Sequence, residues 1–184
     1  MKTRYIFILF VILGIAQFYV PAQMIFHQED ILKTGKAFKF RTRPIDPSNP
    51  FMGKYIRLNF DMDKFFTEDT LWNGNDDIYV SIEEDSLGFV KPMAVHKEKP
   101  NSGDYVKVKV DWYSSYEKAV HFSLPFTEFY MEESKAYDAE MANRNLQRRD
   151  STKNVYALVY IKKGESVLAN VFVDTIPIAK YVEK

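Results

Sequence analysis

The chain reads as a mainly β domain, an antiparallel sandwich or small barrel, preceded by an N-terminal transmembrane helix. Three observations lead there: an unbroken apolar run near the start, a switch to apolar/polar alternation from Ala37 onward, and turn residues between the alternating runs. With 184 residues, 46% of them hydrophobic, 15 Phe and 12 Tyr, there is enough apolar surface for one core, and wholesale disorder is excluded.

The apolar run comes first. Lys2 and Arg4 precede residues 5–20, a stretch whose one polar member is Gln17, and apolarity continues through Phe26. An anchor needs about 20 such residues, whereas a cleaved signal peptide needs small residues after its apolar core. No A-x-A pattern follows Val20, so residues 1–26 are expected to remain as a signal-anchor and residues 27–184 to form the extracytoplasmic domain. Basic residues before the run and Glu29-Asp30 behind it predict a single pass with the N-terminus inside, leaving the domain periplasmic or extracellular. Taking Lys2 and Arg4 from the 25 basic residues leaves 23 against 25 acidic, a formal net of −2. No clustered excess of Lys and Arg is present, which argues against nucleic acid as a partner. Zero cysteine excludes a disulfide scaffold, a thiolate zinc site and a cysteine nucleophile.

In the outer part, Phe38 and Phe40 alternate with Lys39 and Arg41, and Tyr55, Arg57 and Asn59 alternate with Ile56, Leu58 and Phe60. Further strand-like runs fall at residues 78–82, 88–95, 105–110, 119–124, 155–161 and 167–173. One segment breaks the series. Residues 131–149 carry Ala136, Ala139, Ala142 and Leu146 near helical spacing, with acids in the first turn and arginines in the last, and predict one inserted α-helix.

An internal similarity is also present. Gly53-Lys-Tyr-Ile-Arg-Leu-Asn-Phe-Asp61 aligns without gaps with Gly103-Asp-Tyr-Val-Lys-Val-Lys-Val-Asp111, fifty residues later. Each copy is followed by two apolar runs around a turn, containing Gly88 in one and Gly164 in the other. Two readings fit: amphipathic strands opened by a glycine turn resemble each other anyway, or a strand-plus-hairpin unit is duplicated at about 53–95 and 103–173. Duplication predicts two similar halves sharing one sheet or barrel.

Pro44, Asp46 and Pro47, followed by Gly53, Tyr55, Leu58 and Phe60, resemble the signature of the GDYXXLXY family of bacterial membrane-anchored proteins. The similarity covers nearly the whole chain: hydrophobic N-terminal helix, Pro-x-Asp-Pro segment, named motif, a helix with Glu133, Ala136 and Glu140, and a final strand pair. Lys54 stands in place of the motif Asp and Phe60 in place of its last Tyr. The second copy keeps Asp104 and Tyr105 but has Val108 and Val110 at the last two motif positions. The resemblance brings no assigned activity with it. It implies a multi-spanning membrane protein as a partner, because members are often encoded beside one.

Physically, the two prolines force a rigid bend, Asp46 can accept backbone N–H groups within it, and Gly53 can open the strand. On one reading the signature is therefore a structural corner; on the other it serves binding. If Ile56, Leu58 and Phe60 face the core, Tyr55, Arg57 and Asn59 form an outward row able to bind a carboxylate, phosphate or sugar. Gly103, Asp104 and Tyr105 are the matching candidates in the second copy. Catalytic patterns are scarce. His27, His96 and His121 are isolated, no G-x-S-x-G elbow exists, and the acids at 76–77 and 83–85 lack calcium-loop spacing, so no catalytic residue, metal or cofactor is assigned. The expectation is a non-enzymatic binding or accessory subunit of an integral membrane protein. The alternative is an envelope enzyme acting on a cell-wall or lipid-linked substrate, with Asp46, Glu133 and Glu140 among its few acids.

Overall fold

The computed structural model describes residues 2–43, 55–130, 141 and 154–181. Helix α1, Lys2–Thr34, is long and apolar enough to cross a membrane, with a mean hydropathy of 2.1 over its most apolar 18 residues. At 1.5 Å per residue its 33 residues extend about 50 Å, well beyond the roughly 30 Å of a bilayer's hydrocarbon core. The helix therefore passes Phe26, where apolarity stops, and runs eight residues further. Those residues continue as helix because they are docked. Ile31 is only 3% exposed, Glu29 and Lys33 pair at i,i+4 spacing, and the last turns lie against strands β10 (Val155–Lys162) and β11 (Glu165–Val173).

Gly35 closes the helix, its amide donating to the Ile31 carbonyl at 2.8 Å. A β-carbon at this position would stand 2.5 Å from that oxygen and 3.0 Å from the Ile161 carbonyl, so only glycine lets the chain turn directly into β1 (Lys36–Arg43).

The domain is mainly β, antiparallel and close to a closed barrel. Its other strands are β2 (Tyr55–Arg57), β3 (Asn59–Phe60), β4 (Lys64–Phe66), β5 (Asp77–Glu84), β6 (Val90–His96), β7 (Tyr105–Ser114), β8 (Ala119–Ser123), β9 (Glu128–Tyr130) and β12 (Ile176–Pro177), followed by a one-turn helix, Ile178–Tyr181. One five-stranded sheet runs β12-β11-β10-β1-β3 and a second runs β4-β8-β7-β5-β6. The pair β2-β9 and the bridges Lys39↔Phe89 and Val106↔Gly164 join them. Alternation does what the sequence predicts: Ile56, Leu58 and Phe60 are buried while Arg57 and Asn59 are exposed. Both sheets feed one core, in which Phe126 meets Phe40 and Phe60 edge-on at 4.9 and 5.3 Å.

Strand order matches between the sheets. Hairpin β5–β6 is followed by β7 and β8; hairpin β10–β11 is followed by β1 and β3. In this arrangement β7 takes the place of β1, so the described parts of the two segments aligned fifty residues apart, 55–61 and 103–111, do not occupy matching places. Each hairpin pairs with the strand that opens the other half of the chain, β10 with β1 and β5 with β7.

Candidate functional site

Several sequence candidates lie outside the described residues: Asp46, Gly53, Glu133 and Glu140, together with the 131–149 helix apart from the helical Met141. Tyr55 pairs with Tyr130 and Arg57 with Glu128 along β2–β9. Arg43, Tyr55, Tyr130 and Val155 lie at the ends of β1, β2, β9 and β10 remote from the junction of Lys36 with Ile161 beneath α1.

The second motif copy fastens the fold. Gly103 has φ +87°, and the Asp104 carboxylate accepts from Lys36 Nζ at 2.7 Å, tying the start of β7 to the start of β1. That hydrogen bond raises the Lys36 pKa above its ordinary value. Tyr105 is buried, meets Tyr79 edge-on at 5.8 Å and covers Gly164, whose β-carbon, if present, would fall 2.6 Å from the Tyr105 ring. Acids of the clusters at 76–77 and 83–85 are likewise engaged within the domain. Asp77 pairs with Lys107 at 2.7 Å, Glu83 with Lys91 at 2.9 Å, and Asp85 accepts the Leu87 and Phe89 amides at 2.8 and 2.9 Å. Among the described residues no group of three His, Asp or Glu side chains is placed to hold a metal ion.

A cleft of about 340 Å³ opens where the chain leaves β3 and crosses to β4 alongside β8. Its floor is apolar, formed by Leu58, Met62, Phe122 and Leu124, all core residues. Its rim is polar and draws on four strands, β1, β3, β7 and β8. Asn59, the one sequence-predicted residue among those lining it, stands on β3. Arg43, at the end of β1, donates from Nε to the Phe60 carbonyl at 2.7 Å, donates again from Nη2, and pairs with Asp63. Its Nε also lies 3.6 Å from Asp61, whose pKa is nevertheless raised: burial outweighs the attraction of Arg43 and Arg41, and the neighbouring Asp63 adds to the rise.

The opposite rim depends on an irregularity. Pairing of β7 with β8 shifts between Val110, opposite Phe122, and Trp112, opposite His121, so Asp111 is the extra residue of a β-bulge. The bulge resets the alternation and turns Trp112 outward, 57% exposed, where its indole stacks on the His121 ring at 4.6 Å and 15°. His121 Nε2 in turn lies 3.6 Å from Glu117, itself held by Lys64 at 2.6 Å, and Asp111 accepts the Ser123 hydroxyl at 2.7 Å. Arg43, Asp63, Asp111 and Trp112 escaped the sequence analysis. The available signal was Trp112 itself, a large aromatic set beside Asp111 where strict alternation would have turned it inward.

No curated protein and no solved structure matches the chain. The GDYXXLXY protein family does match, over residues 17–171, which takes in the end of α1, the cleft-forming strands and both hairpins. The chain belongs to the GDYXXLXY family.

Proposed function

We propose that the protein is a non-enzymatic, single-pass accessory subunit. α1 crosses the cytoplasmic membrane with its N-terminus inside, and the β-domain stands outside as a binding module for a multi-spanning membrane protein. One observation carries this reading: α1 enters the domain without a linker. Asp30 accepts from Lys162 at 2.5 Å, His27 lies 2.5 Å from Glu165, Ile31 is buried beneath them, and Gly35 turns the chain straight into β1. A helix docked this way holds the domain at a set height and orientation above the bilayer. A freely diffusing domain gains nothing from that, whereas a subunit that must meet a fixed partner does. Arg57, exposed on β2 beside the end of β1 remote from α1, belongs to the partner-binding face.

The test is purification of the full-length protein from its own membranes in detergent, with mass spectrometry of what accompanies it and of its own N-terminus. The expected result is an intact apolar segment and a multi-spanning companion. A cleaved chain recovered alone would overturn the proposal.

A further inference from the structure

We infer that the cleft beside Trp112 binds an uncharged, hydroxyl-rich ligand, a pyranose unit of a glycan. This inference goes beyond the accessory-subunit reading and does not depend on it. Four features of the cleft carry it. Its volume of about 340 Å³ lies at the lower end of the range for small-ligand sites and has room for one or two sugar rings. Trp112 is 57% exposed and backed by the His121 ring, stacked on it at 4.6 Å, so its other indole face offers a platform for the apolar face of a pyranose. Asp63 and Asp111 supply carboxylate acceptors for hydroxyls, and Asn59 supplies both a donor and an acceptor. The fourth feature is charge. Among the described residues that line the cleft Arg43 is the one Arg or Lys, against the two carboxylates of Asp63 and Asp111, and it is already paired with Asp63. A phosphate or carboxylate ligand would meet net repulsion. A sugar, needing donors and acceptors but no counter-charge, fits the same groups.

The structure also fixes each part independently of any ligand. The bulge at Asp111 presents Trp112, the Ser123 hydroxyl orients the Asp111 carboxylate at 2.7 Å, and the Phe60 carbonyl holds Arg43 at 2.7 Å. Such preorganisation lowers the ordering cost of binding.

The experiment uses the full chain in a polyoxyethylene detergent, which has no sugar headgroup, in buffer without phosphate. The sequence has two tryptophans, so Trp72→Phe leaves Trp112 as the sole indole reporter. Chitotriose and cellotriose are titrated separately, with inorganic phosphate as the charged comparison. The expected result is a saturable change in Trp112 emission with at least one of the two sugars and none with phosphate. By calorimetry on the chain that keeps Trp72, Trp112→Ala and Asp111→Asn should each weaken the sugar by about tenfold or more, with melting temperature unchanged in Asp111→Asn. Absence of a saturable response to both sugars overturns the inference, as does a response to phosphate alone. A Trp112→Ala protein that loses stability, while the parent ignores both sugars, would make Trp112 a packing residue.

Discussion

Asp30 on α1 and Lys162 at the end of β10 are 132 residues apart in sequence, and their charged groups meet at 2.5 Å. With the neighbouring contact of His27 to Glu165, this clasps the end of the apolar helix to the β10–β11 hairpin. Both pairs are substantially exposed, so their part is to orient the helix; the burial of Ile31 supplies the attraction.

The first prediction concerns that division of labour. Ile31→Ala should weaken docking by about 2 kcal/mol or more, while the isolated double change Asp30→Asn with Lys162→Gln should leave the helix in place. Spin labels on Lys33 and Lys163 of the full-length protein measure this. Ile31→Ala should broaden the distance distribution and the double change should not. The reverse pattern would assign the docking to the ion pairs.

Gly164 has φ +90° and lies beneath the Tyr105 ring. Gly164→Ala therefore meets both a disfavoured backbone region and a steric overlap, and should lower stability by more than about 1 kcal/mol. In the Gly164→Ala background, Tyr105→Leu should recover part of that loss by relieving the overlap. A urea-unfolding cycle of the two single variants and the double checks it, and simple additivity would rule out the overlap.

Asp85 is held below its ordinary carboxyl value of 3.8, first by the Phe89 amide, with the Leu87 amide, Arg41 and Lys91 adding to the effect. A depressed folded pKa means that the stabilisation is fully present above the unfolded value and fades as pH falls through the folded one. Asp85→Asn should therefore melt below the parent at neutral pH, and the gap should narrow as pH drops below 3.8. Thermal melts across that range decide it; a gap independent of pH would mean that the turn is held by something other than the charged carboxylate.

Asp61 has the opposite sign. Its folded pKa is raised by burial, so its charged form opposes folding, and the relative stability it retains below the unfolded value is lost as pH rises through the folded one. Asp61→Asn should leave the melting temperature at neutral pH unchanged or slightly higher, despite the lost proximity to Arg43. A clear drop would show that the Arg43 contact outweighs burial.

Arg57 is exposed on β2, opposite Glu128. Arg57→Ala should change stability by no more than about 0.5 kcal/mol while reducing the amount of membrane partner that co-purifies. Equal loss of folding and of partner would remove Arg57 from the binding face.

The apolar helix, the alternating faces of β1 and β2–β3, and family membership were legible along the chain, because each rests on a local period or a contiguous motif. Continuous apolarity marks a membrane span, and period two turns Ile56, Leu58 and Phe60 to one side and Arg57 and Asn59 to the other whatever pairs with them. Pairing is different. Nothing near Lys36 in sequence says that it lies opposite Ile161, or that β7 sits between β5 and β8, because those choices minimise exposed edges and apolar surface over the whole chain at once. Tertiary structure alone therefore carried the helix past Phe26 onto the hairpin, joined Asp104 to Lys36, set Tyr105 over Gly164, and placed Asn59 beside Arg43, Asp63, Asp111 and Trp112. The bulge that presents Trp112 exists because β7 must stay paired with β8 while one residue too many is accommodated, a constraint that arises only once two strands meet.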